Sequence, residues 1–145
     1  MKTEPEMYSI DDLKKDKKGS WDGVRNYQAR NFMMEMKKGD LVLFYHSNTK
    51  IIGVAGIAKV IKESYPDHTA YDKKDEHFDP KSKKEKPTWY MVDVGFVKKF
   101  KEVVTLEEIK KNKKLKDMRI VQKGSRLSVT PVSEKEFEVI VEMSL

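Results

Sequence analysis

The sequence predicts an α+β fold, a small β-barrel with helices packed around it, and three observations carry the prediction. Strand-length apolar runs recur, LVLFY at 41–45 and WYMVDVGFV from Trp89 being the clearest. Gly53 and Gly56 interrupt the β-branched run 51–61, where a small barrel needs a bulge or sharp bend at its corners. Between the strands lie helix signals, in which a capping Ser, Thr or Asn precedes apolar residues at three- and four-residue spacing.

In chain order, 2–7 is read as a short opening strand that Pro5 confines to an edge or a strand end. Ser9 caps a helix with Asp12 at the capping-box position, Ile10 and Leu13 form its buried face, and 14–19 ends it. Gly23 frees the backbone, Asn26 is placed to cap, and 27–36 reads as a helix with Ala29, Phe32, Met33 and Met36 on one side. Lys37, Lys38 and Gly39 stop it. The run 41–45 should be buried on both faces, and 46–48 turns out of it. The stretch 65–87, holding three of the five prolines, is the longest irregular region, with Tyr71 and Phe78 as anchors. A strand spans 89–100 and sets Trp89, Met91 and Asp93 on one face. Thr105 caps 106–111 through Glu108, strands are expected at 118–122 and 127–129, and Ser133 with Glu136 caps a last helix carrying Phe137, Ile140 and Val141. The whole chain, 1–145, reads as one domain.

Composition narrows the function. Charged residues make up 37% of the 145, with a net charge of +6, which points to an anionic partner and to nucleic acid before a membrane surface. With no cysteine, disulfides, thiolate catalysis and Cys-ligated metal are excluded. The polar, acidic start does not resemble a signal peptide, and no apolar run approaches the ~18 residues of a spanning helix. The reading is of an intracellular protein, cytoplasmic in a bacterium and nuclear in a eukaryote, with no membrane partner and a monomer favoured. His46, His68 and His77 fit no zinc spacing, and no nucleophile elbow, Walker A or dinucleotide fingerprint is present. The expectation is therefore a binding module with no catalytic residue, metal or cofactor, weighed against an enzyme acting on a modified nucleobase or nucleotide.

One stretch is denser in recognition chemistry than any other. WDGVRNYQARN, 21–31, gathers two aromatics, two arginines, two asparagines and a glutamine, side chains that stack on bases, grip phosphates and pair with amide edges. WDGVRNYQARN, FYHSN, GVAGIAKV, YPDHTAYD, HFDP, PTWYMVDV and RLSVTPVSEKEF follow one another in the order found in EVE-domain proteins. Over essentially its whole length the chain resembles that family, and within it the thymocyte nuclear protein group. The resemblance implies a PUA-like fold, a small and mostly antiparallel β-barrel with helices around it. It also implies a nucleic-acid reader, with modified cytosine in DNA favoured as the flipped-out ligand and RNA the alternative.

A flipped base needs stacking walls and a few polar groups on its Watson–Crick edge. Trp21, Tyr27, Tyr45 and Trp89 are the candidate walls, each weighed against an ordinary core position; for Tyr45 the sequence favours core. Asn26, Ser47 and Asp93 are the candidates for the base edge, against a helix cap, a turn hydroxyl and a structural ion-pair partner respectively; for Asn26 the cap is favoured. Arg25, Arg30, Arg126 and Lys2 are the candidate phosphate grips, against structural ion pairs. The basic run 110–116 reads as a solvated face that steers nucleic acid.

Overall fold

The computed structural model describes residues 1–124 and 126–145. Their five strands are β1 (Lys2–Thr3), β2 (Lys18–Trp21), β3 (Leu41–His46), β4 (Gly53–Pro66) and β5 (Tyr90–Thr105). The four α-helices are α1 (Ile10–Asp16), α2 (Tyr27–Glu35), α3 (Leu106–Lys111) and α4 (Glu134–Met143). The strands form one mixed sheet in the order β1-β3-β4-β5-β2, with β1 parallel to β3 and every other neighbour antiparallel.

The predicted barrel does not close. The sheet curls far enough for Trp21, at the end of β2, to meet Phe44 of β3 edge-on at 5.6 Å. Among the described residues no ladder joins the outer strands β1 and β2. Their brevity is the physical reason: β1 has two residues and β2 four. The backbone N–H of Lys2 on the outer side of β1 already donates to the Ser128 carbonyl at 2.8 Å.

The curl is produced where β4 and β5 lose register, at four shifts along their ladder. A Cβ at Gly53 would lie 2.1 Å from the Val104 carbonyl oxygen, and one at Gly56 2.3 Å from that of Lys98. Only glycine lets the two backbones approach so closely.

Strand alternation splits the core between the two faces. Val42 and Phe44 join α1, α2 and Val92 and Val94 in one cluster, while Leu43 and Tyr45 join Phe100, Ile109, Leu115 and Ile140 in the other. Three helices carry full capping boxes, at Ser9, Thr105 and Ser133, as their sequences dictate.

Five local expectations are corrected. The opening strand stops at Thr3, because the following Glu-Pro-Glu enters a turn. β2 was not foreseen: Lys18-Gly19-Ser20 has no apolar alternation and is a strand only through its ladder with β5. The segment expected as a strand at 118–122 contains a 3₁₀ turn, Arg119–Val121, and 127–129 is not a strand. The long irregular region begins later, since Tyr65 and Pro66 finish β4, and it includes a 3₁₀ turn at His68–Tyr71.

Candidate nucleic-acid interface

The 21–26 segment is pinned by a carboxylate from the distant 67–79 loop. Asp67 is completely buried and accepts four hydrogen bonds: from the Gly23 N–H at 2.8 Å, the Arg25 guanidinium at 3.0 Å, the Thr69 N–H at 2.9 Å and the Thr69 hydroxyl. Its own N–H donates to the Trp89 carbonyl at 2.9 Å. Burial alone would raise the Asp67 pKa, but the bonds from Thr69, Gly23 and Arg25 outweigh it and hold the carboxyl below its usual value.

Gly23 has φ +76°, and a Cβ there would sit 2.7 Å from the His77 ring, so both conformation and contact require glycine. Arg25 also donates to the His77 carbonyl at 2.9 Å, the Val24 carbonyl at 3.1 Å and the Thr69 hydroxyl at 3.0 Å. Four of the five Arg25 N–H groups serve the fold and its fork clamps two loops together, the structural role weighed against a phosphate grip. Sequence reasoning missed Asp67, although Asp two residues before Thr carries an Asx-turn signal.

Beside this hub is an aromatic stack. Trp89 is 5% exposed and its indole N–H donates to Asp79 at 2.7 Å, which holds the Asp79 carboxyl below its usual value. Tyr27, 62% exposed, stacks on Trp89 with ring centres 4.9 Å apart and an interplanar angle of 27°. The Arg25 guanidinium lies 5.4 Å from the Trp89 ring. That of Arg30 lies 5.0 Å from Tyr27 and 5.9 Å from Trp89. Arg30 is oriented by the Thr88 carbonyl at 2.8 Å and by the Asn31 side-chain oxygen. The Asn26 side chain accepts from the Ala29 N–H at 3.0 Å and is the helix cap, the role the sequence favoured over the base edge. Tyr27, Arg25, Arg30 and Trp89 thus come together from α2, its preceding loop and the start of β5.

The remaining candidates lie at other places. Trp21 is half-buried at the open seam of the sheet, against Phe44. Phe44 in turn meets His46 edge-on at 5.8 Å. His46 Nε2 accepts from the Ile10 N–H at 3.1 Å, and burial lowers the His46 pKa. Ser47 lies at the same seam and donates from its backbone N–H to the Thr3 carbonyl at 2.8 Å. Tyr45 faces the other core cluster, 4% exposed, as alternation with Phe44 requires, so it shares no wall with Trp21. Its phenol is pushed up to about 12 by burial. The Lys2 amine sits 5.9 Å from the Tyr45 ring, its pKa lowered by burial. Both line a cavity of about 590 Å³ with Phe32, Met36, Ile120 and Phe137, so the Lys2 amine reaches a largely apolar hollow.

Asp93 accepts a hydrogen bond from the Tyr65 hydroxyl, a phenol in place of the Arg or Lys partner weighed from sequence. Trp89 immediately precedes β5, and its carbonyl accepts from the Asp67 N–H one step beyond the pairing of Pro66 with Tyr90. Arg126 is exposed in the segment that reaches β1 through Ser128. The basic run 110–116 spans the end of α3 and a 3₁₀ turn, with its lysines exposed and Leu115 buried beneath them. Among the described residues no helix is long and apolar enough to cross a membrane.

Fold and surface define a small α+β domain that presents an arginine–aromatic cluster beside a curled mixed sheet. The chain belongs to the EVE domain family, whose model matches residues 1–143. Thymocyte nuclear protein 1 of Danio rerio is 47% identical over 162 residues, a match covering 99% of this chain and 70% of that protein. A crystal structure of a Pseudomonas syringae protein is 47% identical, with a TM-score of 0.97, over 100% of this chain and 97% of the other. The crystal structure of human THYN1 in complex with 5-methylcytosine-containing DNA is 42% identical, with a TM-score of 0.93, over 99% of this chain and 95% of the other.

Proposed function

We propose that this EVE domain is a PUA-like DNA-binding module that recognises modified cytosine, taking the base out of the duplex. The observation that carries the reading is the whole-chain likeness to human THYN1 in its complex with 5-methylcytosine-containing DNA. The net charge of +6 supports an anionic partner. Trp21 is the wall on which the extruded base stacks: it stands at the open seam of the sheet, partly exposed, and is held edge-on by Phe44. Ser47 meets the base edge as an acceptor through its hydroxyl oxygen, since its O–H proton is directed at the Thr3 carbonyl at 3.4 Å. Arg30 and Arg126 contact phosphate, Arg30 because two of its five N–H groups remain after its bonds to Thr88 and Asn31. The reading is one of binding without turnover, since nucleic-acid recognition accounts for the residues the fold places at this surface.

Titration of matched duplexes with and without 5-methylcytosine, at one salt concentration, tests this. Tighter binding of the methylated duplex is expected, and Trp21→Ala abolishes the difference while the protein stays folded. Equal affinity for both duplexes overturns the reading. A modified RNA of the same sequence, bound more tightly than the modified DNA, would move the ligand to RNA.

A further inference from the structure

Tyr27 is exposed in a way its surroundings do not explain. It is a large ring, 62% exposed, at the first position of α2. Yet one face of it rests on a tryptophan that is itself almost fully buried and hydrogen-bonded to Asp79. The distances 4.9, 5.0 and 5.9 Å between Tyr27, Trp89 and the Arg30 guanidinium make a nearly equilateral triangle. Arg30 therefore flanks the stack and leaves the outer face of Tyr27 uncovered. The ring is also held in place before anything binds, because Asn26 caps the helix that carries it and Asp79, Asp67 and Arg25 fix Trp89 beneath it.

We propose that the outer face of Tyr27 is a stacking platform for one unpaired nucleobase, with the spare N–H groups of Arg30 on that nucleotide's phosphate. A flat π face flanked by a guanidinium matches what a nucleotide presents, a π face joined to an anion. Stacking of this kind tolerates any base, so the platform is indifferent to cytosine modification, unlike the seam at Trp21. The inference rests on the nucleic-acid reading above and adds a second contact point to it, for a base on a single strand.

The test compares a short oligo(dA) strand with an abasic strand of equal length and charge, by fluorescence anisotropy at one salt concentration. Tyr27→Leu keeps an apolar, helix-compatible side chain but removes the π face. It is expected to weaken oligo(dA) binding roughly 5- to 150-fold, the usual range for one stacked base, and to leave the abasic strand unaffected. Tyr27→Phe is expected to retain binding. In the wild-type protein, oligo(dA) should shift the Tyr27 ring protons upfield in NMR spectra and the abasic strand should not, a readout that needs no variant. No loss in Tyr27→Leu, equal loss for both strands, or unshifted ring protons overturns the platform. The ratio of affinities for methylated and unmethylated duplex should be the same in Tyr27→Leu as in the wild type. A ratio of one in the wild type, with oligo(dA) binding still dependent on Tyr27, removes the modified-base reading and leaves the platform. Retained discrimination with no effect of Tyr27→Leu does the reverse.

Discussion

Asp67 joins groups that lie far apart in sequence, its contacts to Gly23 and Arg25 spanning 44 and 42 residues. Removing the carboxylate in Asp67→Ala strands the Arg25 guanidinium and the Gly23 N–H. The expected cost is about 3 kcal/mol in chemical denaturation, the low end for a broken buried pair, because Arg25 keeps some contact with water. The pH dependence has a definite sign. A carboxyl whose pKa is lowered on folding contributes stability above its unfolded value, near ~3.9, and loses it as pH falls through the folded value. The gap between wild type and variant should narrow below about pH 3.9. His46 obeys the same linkage at a higher pH. Burial lowers its pKa, so the unfolded chain takes up the proton first. Its contribution is fully present above about pH 6.5 and declines as pH falls below that. Protonation also removes the lone pair that accepts from Ile10. The protection of the Ile10 amide against hydrogen exchange, once the intrinsic pH dependence of exchange is divided out, should fall as pH drops through the lowered His46 pKa, below the ordinary value of about 6.5, and His46→Gln should flatten that dependence; an unchanged profile would place the titration elsewhere.

Among the elements, α2 separates capping from recognition. Asn26→Ala should cost about 1 kcal/mol of stability, the typical value of a cap, and Asn26→Ser should restore it. DNA affinity that follows stability through both variants would keep Asn26 a cap; affinity lost in both, with stability restored by Ser, would return it to the base edge. The capped helices were legible in the sequence because a capping box is closed within four residues, as at Ser9 with Asp12 and Ser133 with Glu136. β2 was not, because Lys18-Gly19-Ser20 acquires its strand conformation from β5, more than seventy positions away in the chain. The site divides in the same way. Tyr27 and Arg30 were legible as neighbours on one helix turn. The structural role of Arg25 was not, because it depends on Asp67, which only tertiary folding brings to it. Tyr45 and Trp21 were separated by the sidedness of β3, which period-two alternation fixes once Phe44 is seen to face Trp21.

For the whole molecule, charge sets how affinity responds to salt. The logarithm of the DNA association constant should fall linearly with the logarithm of salt concentration, by ~0.9 per phosphate contact on a duplex. Arg30→Ala and Arg126→Ala should each reduce the slope by about that amount. Arg25→Ala should instead lower the melting temperature; a slope changed by Arg25→Ala in a fully folded protein would return Arg25 to the phosphate contacts. The unclosed sheet has a further consequence. A closed barrel has no free strand edges, but this one leaves β1 and β2 at its margins, and an unpaired edge is a template on which another chain can add a strand. The protein limits that hazard by brevity and chemistry. β1 offers two residues and is already engaged at Lys2 by Ser128. β2 offers four, beginning Lys-Gly. Edges this short, one of them already engaged, are poor templates for strand addition, so the sheet stays open beside Trp21 without offering a neighbouring chain a long edge to pair with.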